Sequence, residues 1–497
     1  MILLPALPIL LPLAVAILLV FFRGDPRRAQ AVAMAGAVGH LAVAVALMVE
    51  VVRHEVLVLW VGNWPAPFGI CLAADMLSAV MVLITAVIHT AVTVYARRDI
   101  DAPQVRAGFY PILQVLAAGV CGAFLTGDLF NLYVWFEVML MASFGLLVMG
   151  PKPGRLAGAV KYVALNLLAT LFFITAIGLI YGMTGTLNMA DLHAKAAAVE
   201  NRALLTAAAM LLMTAFGIKA ALFPVFFWLP AAYHTLSVPV SAFFAGMLTK
   251  VGVYALIRMF TLVFSGVDLA LDVLLVIAAL TMLFGVVGAA SQMEMRRILG
   301  FHIISQVGYM VLGLALLTPL ALAGAIVYLV HHIIVKANLY LVSGLVRQAG
   351  GSFSLKRVGG LYSSHGLLAI GFFIPAFSLA GFPPLSGFWA KLLIIRASIE
   401  SGQYLLAVVA ALVGLLTIFS MVKIWSEAFW KTAPDAVDPS CVHPDLSAWM
   451  LGPVLALALV TVALGIFMGP VIDFSMAAAE RLLDPQAYIR AVLGGLP

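Results

Sequence analysis

The chain has 497 residues, of which 64% are hydrophobic and only 10% charged, with a formal net charge of +6. An ordinary soluble domain carries about 25% charged residues, so this composition excludes a soluble globular enzyme and describes a polytopic membrane protein. The positive balance does not indicate nucleic acid, because the basic residues lie in short loops between apolar runs, where they set membrane orientation.

At about 20 residues per crossing, the sequence divides into fourteen predicted transmembrane helices. Helix 1 covers about 2–22, helix 2 about 30–50, helix 3 about 72–95, helix 4 about 108–126 and helix 5 about 129–149. Helix 6 covers about 161–182, helix 7 about 203–229, helix 8 about 239–263, helix 9 about 269–289 and helix 10 about 297–317. Helix 11 covers about 321–346, helix 12 about 366–398, helix 13 about 403–428 and helix 14 about 449–470, and an amphipathic tail follows. The run Ile2 to Phe22 lacks a basic leader and a small-residue cleavage site, so it reads as a first helix and not as a signal peptide. Cys71, Cys121 and Cys441 are far apart and match no metal-ligand spacing.

The loops give an orientation. Arg23, Arg27, Arg28, Arg97, Arg98, Arg106, Lys152, Arg155, Lys161, Arg296, Arg297, Arg347, Lys356, Arg357, Lys423 and Lys431 all follow odd-numbered helices or end them. The opposite loops hold few basic residues, chiefly Arg53, Lys195 and Arg202. The positive-inside rule then predicts both termini outside the cell.

Helices 7 and 12 carry breakers deep in their spans. Helix 7 reads Gly217-Ile-Lys-Ala-Ala-Leu-Phe-Pro224, and helix 12 reads Gly381-Phe-Pro-Pro-Leu-Ser-Gly387. Proline removes a backbone donor and glycine loosens the helix, so both spans should be broken. Broken backbone at membrane depth is tolerated where it is buried in protein or lines a polar cavity. Helices five apart run in opposite senses, so the expected architecture is all-α with two inverted five-helix repeats, helices 4–8 and 9–13. The corresponding divisions are residues 1–107, 108–265, 266–432 and 433–497.

Charges inside the spans point to function. A charge at the bilayer centre costs at least about 2.5–3.5 kcal/mol, yet Glu137, Lys219, Lys250, Lys336 and Lys391 all lie inside apolar runs, with His302, His331 and His332 among them. A row of titratable groups in a membrane usually carries protons or ions. Glu137 is the candidate partner of Lys219. At about 4 Å and an effective dielectric near 20 their attraction is about 4 kcal/mol, enough for withdrawal of the carboxylate to drive a proton off the lysine. A static ion pair is the competing interpretation. Tyr254 shares a face with Lys250, and His332 shares one with Lys336, each pair four apart. His331 and His332 point about 100° apart, so at most one of them joins that face. Histidine titrates near neutrality and suits a relay, whereas adjacent histidines cannot supply paired axial ligands to haem. Lys391 lies on the broken helix 12, where it suits an exit site or a bond to freed carbonyls. Asp75, His89, His234 and Asp128 lie nearer span ends and read as structural or interface groups. No nucleotide-binding loop, dinucleotide fingerprint or nucleophile elbow is present, and no cofactor is expected.

Three stretches carry a resemblance: Thr126-Gly-Asp-Leu-Phe-Asn-Leu-Tyr-Val-Trp-Phe-Glu137, the Lys219 segment ending at Pro230, and Gly381 to Lys391. They resemble the proton-conducting membrane transporter family, which holds antiporter-like subunits of respiratory complex I, membrane-bound hydrogenases and Mrp-type sodium/proton antiporters. The length, and Lys391 where the complex I relative usually has glutamate, make the chain most similar to the Mrp branch. The resemblance implies a coupled pair at Glu137 and Lys219, a central axis through Lys250 and helix 11, and a distal site at Lys391. It further implies other membrane subunits as partners in the bacterial cell membrane, with protons and sodium, lithium or potassium as the transported ions. A redox-driven proton pump and a silent membrane scaffold are the alternatives.

Overall fold

The computed structural model describes residues 3–150, 153–433 and 445–494; Lys152 and Cys441 lie outside the described residues. The helices follow in chain order as α1 (Leu7–Phe22), α2 (Pro26–His54), α3 (Met76–Asp99), α4 (Ala102–Arg106), α5 (Phe109–Leu125), α6 (Leu129–Val148) and α7 (Pro153–Thr184). Next come α8 (Met189–Ala197), α9 (Arg202–Ala220), α10 (Trp228–Ala232), α11 (Val238–Leu262), α12 (Asp268–Ser291), α13 (Met295–Ala315) and α14 (Pro319–Gly350). The remainder are α15 (Leu361–Ser364), α16 (Gly366–Ala380), α17 (Ser386–Glu400), α18 (Tyr404–Trp425), α19 (Ala448–Ile466), α20 (Met468–Leu483) and α21 (Gln486–Leu493). A two-stranded antiparallel hairpin, β1 (Leu57–Trp60) and β2 (Cys71–Ala74), joins α2 to α3.

Among the described residues twelve helices are long and apolar enough to cross a membrane, and α5 and α16 are shorter apolar helices. All fourteen predicted spans are therefore helical, two of them in two pieces. Sequence reasoning missed the hairpin and the short helices α4 and α8, because each is too brief to carry a periodic signal.

Polar residues at the loop boundaries start the helices. Asp75 forms a capping box with Ser78, and Asp128, Asn201, Glu294 and Thr318 each accept a first-turn amide. Asp128 lies just ahead of α6, and burial pushes its carboxyl up from 3.8 to about 6 against the pull of the Asn131 and Phe130 amides. A carboxyl raised in the folded state destabilises increasingly above its unfolded value, and fully once the pH exceeds its folded one. Asp128→Asn keeps the cap and removes that cost. It should gain about 1–3 kcal/mol at pH 7.5 and nothing near pH 4, read as thermal unfolding in detergent. An equal gain at both would rule this account out.

Burial runs against polarity. The helices α11, α13 and α14 are 94% buried over their apolar windows, yet they carry the two intramembrane lysines and the histidines of the centre, while α7 and α12 are 33% and 39% buried and face outward. Small residues let these inner helices touch. A Cβ at Gly252 of α11 would lie 2.7 Å from the Ala220 amide nitrogen, which brings α11 against α9 beside Lys219.

Both broken spans fold in one way. In the first, the Leu222 amide donates to Gly217 O at 2.9 Å and the Val225 amide to Leu222 O at 2.9 Å. At matching positions 160 residues on, the Phe382 amide donates to Phe377 O at 3.1 Å and the Leu385 amide to Phe382 O at 3.0 Å. Pro224 and Pro384 both follow cis peptide bonds, and the residue ending each first half is left-handed, Ala221 at φ 61° and Gly381 at φ 98°. A Cβ at Gly381 would also meet Lys391 Cδ at 3.0 Å. Gly381→Ala should therefore cost about 1–2 kcal/mol in detergent thermal unfolding, while Ala221→Gly should cost nothing. Equal costs would mean that φ does not decide either position.

Candidate functional site

Glu137 lies on α6 and accepts a hydrogen bond from Thr170 Oγ1 of α7 at 2.7 Å. It is half-buried, on the flank where α6 and α7 face outward. Lys219, in the last turn of α9, is 7% exposed. Its ammonium stands 5.6 Å from the Phe136 ring and beside a cavity of about 20 Å³ lined by Tyr162, Asn166 and Trp228, room for one water. Glu137 acts on the Lys219 charge through space. The two do not form the contact expected from sequence, since no ion pair within 4.0 Å joins them; Thr170 holds the carboxylate instead. Within that lining Asn166 Nδ2 donates to Tyr162 O at 2.8 Å.

Lys250 is fully buried on α11 and donates to Ala245 O within its own helix. Tyr254 shares its face but bonds elsewhere, donating to Phe124 O at 2.6 Å. Across from Lys250, α14 presents His332 and Lys336 on one face. The Lys336 ammonium reaches Leu299 O of α13 at 3.2 Å. His332 and His302 are fully buried, and neither ring nitrogen of either has a partner among the described residues. His332 stands within electrostatic reach of Lys250, Lys336, His331 and His302. Buried ring nitrogens of this kind are ordinarily satisfied by ordered water.

The adjacent histidine turns the other way. His331 Nδ1 lies 2.8 Å from Ser386 Oγ at the start of α17, and Ser386 lies 3.1 Å from Ser378 Oγ of α16. Of the two, His332 faces the centre and His331 faces the second break. Lys391 completes the row. Its ammonium donates at 2.9 Å to both Leu379 O and Ala380 O, the freed carbonyls of α16, and sits 5.7 Å from the Tyr309 ring. Tyr309 stacks on Tyr328, whose hydroxyl donates to Gln306 Oε1 and whose ring lies edge-on to His331 at 5.9 Å. Sequence reasoning missed Thr170, Tyr328, Ser378 and Ser386. A serine or tyrosine in an apolar helix carries no signal of its own until the neighbouring face is known.

The end groups divide. Asp75 bonds Arg258, and His89 bonds His40 through their Nδ1 atoms at 3.2 Å. Among the described residues no group of three or more His, Cys, Asp or Glu side chains could hold a metal ion.

Fold and site together define a polytopic membrane protein whose most enclosed helices carry ionisable side chains. The chain belongs to the NADH:quinone oxidoreductase/Mrp antiporter transmembrane family, which it matches over residues 126–417. It is 44% identical over 488 residues to a subunit of the Na(+)/H(+) antiporter of Alkalihalophilus pseudofirmus, covering 98% of both chains. A chain in the structure of the Mrp complex from Dietzia sp. superposes with a TM-score of 0.93 at 36% identity, over 99% of this chain and all of the other. A chain of respiratory complex I from Thermus thermophilus gives a TM-score of 0.81 at 23% identity, over 96% and 99%, which shows a shared fold.

Proposed function

We propose that this chain is the proton-translocating membrane subunit of a multisubunit monovalent cation/proton antiporter in the bacterial cell membrane. The observation that carries the reading is one row of enclosed titratable groups, Lys219, Lys250, His332, Lys336, His302, His331 and Lys391, in a chain similar throughout to subunits named for sodium/proton antiport. In this reading Glu137 and Lys219 load the row, and a proton released from Lys219 passes along α11 and α14. His331 hands it through Ser386 to the break that holds Lys391. Charge on one lysine disfavours charge on the next, so a proton arriving at one end promotes release at the other. Other membrane subunits cover the half-buried Glu137. The basic loops face the cytoplasm, with both termini outside. The matching breaks support an inverted division into 108–265 and 266–432.

The fold shared with complex I favours a second reading, in which redox chemistry in partner subunits drives protons along the same residues. Proteoliposomes holding the complete complex and no electron donor separate the two. A sodium jump is expected to move protons across the membrane. Proton movement that ignores sodium and starts only with a reduced donor would reject the antiporter.

A further inference from the structure

Beyond Lys250, α11 continues with Tyr254 and Arg258, each four residues on and on one helical face. Arg258 Nη2 donates to Tyr254 Oη at 3.1 Å, and the guanidinium clasps Asp75 in a two-bond pair, Nη1 to Oδ2 at 2.7 Å and Nη2 to Oδ1 at 2.8 Å. Asp75 is itself fixed as the cap of α3, accepting the Ser78 amide at 2.9 Å. The C-terminal segment roofs this group: the Tyr488 ring of α21 lies 5.2 Å from the guanidinium, and Arg481 of α20 pairs with Glu55 at 2.8 Å. A space of about 20 Å³ remains among Glu55, Asp75, Arg258, Arg481 and Tyr488, room for one water. Tyr254 and Arg258 thus extend the face of Lys250 almost to the end of α11, while the Lys250 ammonium itself bonds back to Ala245 O.

Such a face poses a problem that rests on the proposed function. A proton on Lys250 has two ways onward, across to His332 on α14 or along α11 to the opposite face. The second would short-circuit the row. Arginine is the one basic side chain that stays protonated in proteins, so it cannot pass a proton on, and its two bonds hold the Asp75 carboxylate that could otherwise accept one. Stability alone does not call for this pair, because apolar side chains of similar volume often serve a buried site as well.

We infer that Arg258, clasped by Asp75 and roofed by Tyr488, is a fixed-charge barrier that closes the α11 branch and sends protons on Lys250 across to α14.

The test uses the complete complex in proteoliposomes with an internal pH dye, a potassium diffusion potential and no sodium. Arg258→Gln is paired with Asp75→Asn so that neither charge is left alone. The sodium-independent proton leak should rise about tenfold, equivalent to about 1.4 kcal/mol off the barrier. Adding Lys250→Ala should return it to the wild-type level, because the leak is fed through that lysine. An assembled double variant with no added leak overturns the proposal, and so does a leak that persists without Lys250, which marks loosened packing. Should the double variant fail to assemble, Tyr488→Ala and Tyr488→Phe serve in its place. Leak with alanine and none with phenylalanine is expected, and no leak with alanine in an assembled complex overturns the proposal. Lys219→Ala is scored beside them. Antiport that survives it removes the proton row itself, whereas antiport lost there with leak unchanged elsewhere removes only the barrier.

Discussion

Lys219→Ala is expected to abolish sodium-driven proton movement in inside-out vesicles while leaving the complex assembled on a native gel. The ammonium makes no hydrogen bond among the described residues and no ion pair within 4.0 Å, so its removal strands no partner. The α9 end is held by other bonds, the Ala221 amide to Ile218 O at 3.1 Å and Trp228 Nε1 to Ile218 O at 3.0 Å. On the proposed route, what the variant loses is the proton carrier between Glu137 and the central group. A positioned proton-transfer side chain is worth about 100-fold or more in rate, and that is the loss expected. Lys219→Arg should fail as well, because arginine keeps the charge but does not release its proton. Transport by an assembled alanine variant at the wild-type rate would remove Lys219 from the proton route.

His332→Gln tests the middle of the row in the same way. Glutamine keeps hydrogen-bonding groups in the space that His332 occupies but does not titrate. His332 stands within electrostatic reach of both Lys250 of α11 and Lys336 of its own helix, so on the proposed route the substitution should cut the two halves apart. The expected loss is again about 100-fold, with assembly unchanged. His331→Gln supplies the contrast. Its Nδ1 bond to Ser386 reaches only the second break, so the variant should still load protons at Lys219 and fail to deliver them to Lys391. A single-turnover proton uptake on a pH jump separates these outcomes: normal uptake without release for His331→Gln, and reduced uptake for His332→Gln. Identical behaviour of the two would mean that they act as one group.

Much of this was legible in the sequence, for a physical reason. A bilayer forces every span into a helix and makes each buried charge expensive, so apolar runs gave the fourteen spans and the stray lysines marked the candidate site. The breaks were legible because proline and glycine act on the chain locally. What could not be read was which faces meet. Glu137 and Lys219 suggested a direct pair, yet Thr170 of a third helix takes the carboxylate. His331 and His332 looked like alternatives along one helix, and only the position of α17 gives His331 its own partner. Arg258 is the instructive omission. It lies eight residues after Lys250 within the same predicted span, and a charge so placed carried the same signal as the lysines.

The two breaks share one backbone and differ in how their charge is supplied. Counting from the matched bonds, Lys219 corresponds to Leu379, whose carbonyl receives Lys391 Nζ, and Lys391 corresponds to Ala231. The first half carries its ammonium before the turn and the second carries it after. Backbone and charge are thus separable parts. Grafting residues 377–387 onto positions 217–227 would preserve the turn's hydrogen bonds and delete the charge, and lysine at Ala231 would restore it from the far side. A lineage could therefore reposition its charge within a crossing by single substitutions, without redesigning the crossing.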